Sequence, residues 1–313
     1  IPRSRKLRAI NRTNSLILLW GDFATGMWLH RSSERQVRVR GMIRDIVVHL
    51  DGSDKDERRL QHADALGAFF DARVTVLFTN LIEIGYIAAD PVGASVEIVA
   101  DAIEEARSAG DATEARLRKR LEAMSSPVTF QRCDGTDGEL REHAACFARM
   151  SDLFVAGRPL GVEDAGWPSL FQSALFAGGR AVYMVPPDAP ARPAKTIVIG
   201  WRDSRETTRA LAEAMPFLRA ADRVILATVG RSGADAGADE IAGHLSRHGV
   251  DCVFKSLPPG DKVSETLLTE CATEGADLLV IGAYGHSRFW EWVLGGTTRN
   301  ILTVSGVPVL LAH

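Results

Sequence analysis

Short runs of aliphatic and β-branched residues recur along this chain, each followed by a stretch whose apolar positions return at helical spacing. The first run opens DIVVHLDGSDKDERRLQHADAL (45–66), which ends its apolar part in a polar Asp/Ser turn and passes into an amphipathic pattern. The same design returns at TIVIGWRDSRETTRALAEAM (196–215). Four further pairs of runs keep the same order in the two halves. They are ARVTVLF (72–78) with DRVILAT (222–228), VTFQRC (128–133) with DCVFKSL (251–257), DLFVAG (152–157) with DLLVIG (277–282), and AVYMV (181–185) with VPVLL (307–311). The chain is thus an internal repeat with a period near 150 residues.

Alternating strands and helices predict parallel sheets covered on both faces. Right-handed crossovers then give a doubly wound sheet. The expected fold is two tandem α/β domains, each a five-stranded parallel sheet with helices on both faces. PPDAPARP (186–193) carries four prolines and reads as a linker. The expected units are an extension over 1–41, a first domain over 42–187, a Pro-rich linker over 188–194 and a second domain over 195–313.

Charge changes the reading of the first segment. Residues 1–41 hold nine Lys/Arg against two acids, a balance of +7, which leaves −10 of the overall −3 for residues 42–313. An acidic body disfavours non-specific binding to nucleic acid, which depends on phosphate neutralisation. SLILLW (15–20) follows the basic stretch but is too short for the core of a signal peptide or for a membrane span. Met42 stands immediately before the first strong strand, so 1–41 reads as a disordered extension or an upstream translation artefact. The four cysteines form no CxxC or Cys/His cluster, which predicts neither a disulfide framework nor a zinc site and fits a reducing cytoplasm.

The candidate chemistry lies in LLVIGAYGHSRFWEWVLGGTTRNIL (278–302). Gly282 and Gly285 allow a sharp turn off the fourth strand and a close approach of backbone amides to a ligand. Gly295 and Gly296 precede a predicted helix with Thr297 or Thr298 at its N-cap, where free N–H groups and the helix dipole favour an anion. Glycines after strands also serve turns alone, and a threonine cap needs no ligand, so the chemistry leaves both readings open. The loop is neither a Walker A motif nor GxGxxG.

At these residues the chain resembles the universal stress protein family. The spacing Gly282-x2-Gly285-x9-Gly295 followed by Gly296 is similar to that family's ATP-binding signature, and VVHLDGS resembles its first strand and turn. The resemblance covers about residues 42–313 as two copies. It implies a Rossmann-like, HUP-type fold, dimerisation, and ATP as the ligand. It also implies a nucleotide site made of Gly282, Gly285, His286, Gly295, Gly296, Thr297 and Thr298, completed by Gly200, Trp201, Arg202 and Val229. The family's acid at the end of the first strand is matched by Asp51 in the first repeat, whereas Arg202 stands there in the second. Conversely, the first repeat lacks the glycine cradle, with Ser169 alone near the expected helix start. The second repeat is the expected site, and Asp51 belongs to a degenerate one.

No turnover reaction is assigned, because the loop offers no base, Walker-type lysine or carboxylate pair for Mg²⁺. His286-Ser287 has no third partner in sequence, and Trp290 and Trp292 read as packing residues of a flap. The alternative to a nucleotide-binding stress protein is a nucleotide-free interaction module that dimerises. An enzyme such as a nucleotidyl transferase would need a phosphate-activating His or Lys set that is not found. The two fifth strands are expected at the interface of an intramolecular pseudo-dimer, and whole chains are expected to form homodimers.

Overall fold

The computed structural model describes residues 39–83, 96–160, 168–233, 237–283 and 296–313. Among them the first half contains β1 (Asp45–Leu50), α1 (Asp56–Phe70), β2 (Arg73–Leu81), α2 (Val96–Leu121), β3 (Val128–Gly135), α3 (Asp137–Arg149), β4 (Leu153–Gly157), α4 (Pro168–Ala177) and β5 (Val182–Val185). The second half repeats the order with β6 (Thr196–Gly200), α5 (Arg205–Ala220), β7 (Arg223–Val229), α6 (Ala238–Arg247), β8 (Cys252–Leu257), α7 (Val263–Glu274), β9 (Leu278–Gly282), α8 (Gly296–Val304) and β10 (Val309–Ala312).

All ten strands form one sheet in the order β3-β2-β1-β4-β5-β10-β9-β6-β7-β8. Every pairing within a half is parallel, as the short apolar runs separated by helices require. The halves meet through the fifth strands, with β10 antiparallel to β5 and Leu310 opposite Tyr183. The fifth strands are the ones expected at the shared interface, and there the structure joins them edge to edge. Pairing satisfies two rows of backbone groups that two separate sheets would leave open.

Successive strand residues face opposite sides, so a strand buried on both faces is apolar throughout. Ile46, Val48 and Leu50 point into one core with α1, α2, α5 and α6, while Val47 points into the other with α3, α4, α7 and α8. Aromatic rings bridge the halves on the first face. Phe217 meets Phe70 edge-on at 5.1 Å and stacks on Tyr183 at 6.0 Å.

One device is repeated in both halves. Asp152 accepts the amides of Arg44 and Asp45 entering β1, and Asp277 accepts those of Lys195 and Thr196 entering β6. Each of these aspartates stands just before its own half's fourth strand and ties down the neighbouring first strand. The proline-rich stretch is docked at several points. Pro187 O accepts from Arg58 Nε at 3.0 Å, Ala189 O contacts His62 Nε2 at 3.1 Å, and Arg192 pairs with Asp277 at 2.6 Å. Packing is already under way before Met42, since Val39 is buried and Gly41 N donates to Phe70 O. The rest of the N-terminal extension lies outside the described residues. Among the described residues no helix is long and apolar enough to cross a membrane.

Candidate functional site

In each half the strand order reverses between the first and fourth strands, β1 beside β4 and β6 beside β9. Open α/β sheets bind ligands outside the carboxyl ends of strands at this switch point. The antiparallel β5–β10 junction turns one half over relative to the other. The two switch points therefore lie at opposite edges of the sheet.

The second-half edge gathers several of the residues picked out in the sequence. Gly200 ends β6, in register with Ala227 on β7 and Ile281 on β9; Val229 ends β7 and Gly282 ends β9. Trp201 is buried in the core of the first face, with its amide bonded to Ala227 O, and Arg202 after it is half-buried. Gly282 is pressed against the first turn of α5, where a Cβ would lie 2.4 Å from Thr207 N and 2.6 Å from Glu206 C. Its glycine identity is a packing requirement there. α8 opens at Gly296, one residue ahead of the expected threonine cap, which puts Thr297 and the buried Thr298 inside its first turn. Among the described residues nothing lies within 4 Å of where a Cβ on Gly296 would sit. Gly285, His286, Trp290, Trp292 and Gly295 lie outside the described residues.

The first-half edge carries a cleft of about 520 Å³, counting space open to solvent, between the ends of β1, β4 and β5. Its floor is an ion cluster. Arg59 Nη2 donates to Asp51 Oδ1 at 2.7 Å, to Asp56 Oδ1 at 2.5 Å and to Ser53 Oγ at 3.2 Å. Asp51 Oδ1 also accepts from Ser53 N and Ser53 Oγ, while Asp56 receives the amides of Asp51 and Gly52. Asp51 is thus placed at the first-half switch point, but its oxygen is engaged by its own chain.

Burial would raise the Asp51 carboxyl, but the Arg59 guanidinium, the nearby His49 and the Ser53 hydrogen bond outweigh it and hold Asp51 well below the usual range. Burial pushes Asp56 up to about 6 against the pull of Arg59, with the Asp51 charge adding to the rise. Burial, helped by the Arg59 charge, pushes His49 down to about 3, so its ring is neutral beside Thr79 Oγ1 at 2.8 Å.

These shifts have opposite effects on stability. Between 6.5 and about 3 an unfolded His49 binds a proton that the folded one refuses, so acidification destabilises the fold. Between about 6 and 3.8 the folded Asp56 holds a proton that the unfolded one lacks, so acidification stabilises it. The two slopes, each about 1.4 kcal/mol per pH unit, oppose one another over that window. His49→Gln removes only the first. Its stability relative to wild type is expected to improve by about 2 kcal/mol between about pH 7 and about pH 5 in urea titrations. A difference that does not move with pH would show that His49 is not held neutral.

Sequence reasoning picked Asp51 and missed its partners. Asp56 and Arg59 stand at i,i+3 spacing just beyond it, which is a local signal for the ion pair. Gly157 and Arg158, on the opposite wall, come from β4 and its following turn, and only the topology brings them there.

No family model matches the sequence, and no curated protein matches it. Solved structures do. A universal stress protein from Archaeoglobus fulgidus is 15% identical, aligns over 86% of this chain and 95% of its own, and gives a TM-score of 0.66. A Pseudomonas aeruginosa protein given the same family name is 14% identical over 86% of this chain and 93% of its own, with a TM-score of 0.54. The fold is therefore that of the universal stress proteins, repeated in tandem.

Proposed function

We propose that the chain is a tandem universal stress protein that binds one adenine nucleotide, ATP, in its C-terminal half and acts as a cytoplasmic stress-response factor. The observation that carries this reading is the start of α8 at Gly296 with two threonines in its first turn, following β9 at the second-half switch point. A helix start offers unpaired amides and the positive end of the dipole to phosphate. The spacing of Gly282, Gly285 and Gly295 supports the same assignment, and His286 falls within the same loop. Gly200, Trp201, Arg202 and Val229 would meet the nucleoside side. Engagement of Asp51 Oδ1 by Arg59 and Ser53 supports leaving the first half out of nucleotide binding. The reading divides the chain into domains over 42–187 and 195–313 and has whole chains associate as homodimers.

Gly296→Val tests the site, because a Cβ there meets none of the described residues and the backbone is not in the left-handed region. The fold should be unaffected while the valine obstructs the approach of phosphate to the amides. Each charge-assisted hydrogen bond is worth about 1.5–3 kcal/mol, so loss of two weakens binding by a hundredfold or more. Calorimetry should give one ATP per chain for wild type and no measurable binding for Gly296→Val. Unchanged affinity in the variant would remove the cradle from the site.

One observation favours the alternative, a nucleotide-free interaction module. Arg202 occupies the position that Asp51 holds in the first half. Mass spectrometry of small molecules released from freshly denatured protein separates the readings. A blank, together with no shift in melting temperature on adding ATP, selects the module.

A further inference from the structure

Two histidines stand four residues apart at the end of α6, His244 in its last turn and His248 at its C-cap. Residues at i and i+4 share one face of a helix, and here the ring centres are 4.7 Å apart with the planes tilted by 58°. His244 is half-buried and His248 is exposed, so the pair borders solvent. β8 begins at Cys252, just after them. The pair therefore lies by the amino ends of the second-half strands, away from the switch point at their carboxyl ends.

The repeat shows that the fold does not ask for this pair. The halves align here because Val74 pairs with Val128 as Val224 pairs with Cys252. In that register the buried Leu121 matches the buried Leu245, so the core position is kept. Arg120 and Met124 stand where the second half has His244 and His248. Arg120 is engaged there by Glu57 at 2.6 Å, a different use of the same helix face.

The ring spacing suits a shared ion. Two imidazoles in neighbouring positions on one metal, each bound through nitrogen at about 2.0–2.1 Å, have ring centres roughly 4.5–5 Å apart. Arg219, in the last turn of α5, steadies His248, donating Nε to His248 O at 3.1 Å and Nη2 to its Nδ1 at 3.4 Å. Arginine only donates, so this ring nitrogen presents a lone pair. The 3.4 Å contact is longer than the usual hydrogen bond, and an ion that takes Nδ1 displaces it. Among the described residues no group of three or more His, Cys, Asp or Glu could hold a metal ion, so the protein here supplies two ligands and water the rest.

We propose that His244 and His248 form a surface chelate for one borderline divalent transition-metal ion, of the zinc, nickel or copper(II) type. Neutral imidazole suits these ions, whereas magnesium prefers oxygen ligands. Two ligands on one helix turn act at high effective concentration, so the pair binds more tightly than either histidine alone. The site shares no residue with the nucleotide cradle and is independent of it.

Titration of the full chain, reduced and freed of metal with a chelator, against nickel(II) chloride tests this by calorimetry and melting temperature. A saturable site for one nickel per chain is expected, with a raised melting temperature because the ion binds the folded turn. His244→Gln and His248→Gln should each weaken binding about tenfold or more, and the double variant little further. Without metal, both should melt close to wild type, since neither ring fills a core position. Zinc should compete with nickel and magnesium should not. His143→Gln, at an exposed histidine on α3, controls for binding to any surface imidazole and should behave as wild type. The proposal is overturned if nickel does not saturate, if either single variant at 244 or 248 binds like wild type, if magnesium competes, or if His143→Gln abolishes binding.

Discussion

Replacing Arg59 by methionine is expected to destabilise the protein by about 3–5 kcal/mol at neutral pH, the cost of stripping the partner from buried charges. The Arg59 side chain is 5% exposed, and its acids Asp51 and Asp56 are 12% and 5% exposed. Methionine keeps most of the volume but leaves two carboxylates close together without a cation. The sign with pH follows. Without Arg59 both folded-state carboxyls titrate above their unfolded values, so the deficit should shrink as acid protonates them. A variant that also carries Asp51→Asn and Asp56→Asn should recover much of the loss, because no buried charge remains. Ala210 at the matching place in the second half supports this, since the same helix position there needs no arginine. Urea titrations of the single and triple variants at neutral and mildly acid pH measure all three points. A loss below about 1 kcal/mol would mean that the cluster is solvated like a surface pair.

Gly282→Ala should cost about 3 kcal/mol, at the upper end for added volume in a packed interior, because the new methyl meets backbone and not a movable side chain. Its Cβ would be 2.4 Å from Thr207 N, so either β9 or the first turn of α5 must shift. Gly157→Ala is the internal comparison. There the methyl would lie 3.4 Å from Arg59 Cδ, an ordinary contact, and neither glycine has a left-handed backbone. The first-half change is expected to stay within about 0.5 kcal/mol of wild type, aided by the smaller entropy of the unfolded chain. Chemical denaturation of the pair decides between a steric and a generic glycine effect. Equal losses would contradict the close approach of β9 to α5.

The strands were legible in the sequence because burial on both faces leaves continuous apolar runs. Val47 and Val48 go into different cores, yet both must be apolar. The repeat made the succession of elements in each half legible as well, while the order of strands in the sheet comes from the structure. Gly282 was legible as special, but its reason was not. The sequence suggests an amide aimed at phosphate, whereas in the structure the glycine also makes room for Thr207, a contact between segments 75 positions apart. The first-half cleft was the part least legible. Asp51, Asp56 and Arg59 are near neighbours and announce an ion pair, but the wall packed beside Arg59 includes Gly157, nearly one hundred residues away. Local pattern carries secondary structure and charge pairing. It carries no information about which distant residue will complete the wall of a cleft.

The antiparallel β5–β10 seam also places the end of each half's last helix beside the other half's switch-point edge. Arg158 Nη2 donates to Ser305 O just after α8, and Arg209 Nη2 donates to Gly179 O just after α4. In an assembly of two identical chains, any substitution would appear at both crevices together, so neither could change its ligand without the other. A covalent tandem is free of that constraint. Lys55 can face Glu206, and Arg59 face Ala210, across a two-fold relation that the backbone keeps and the side chains have abandoned. The seam thereby lets one polypeptide carry two differently charged edges in fixed register. It also ties each edge to the neighbouring helix end by an arginine hydrogen bond.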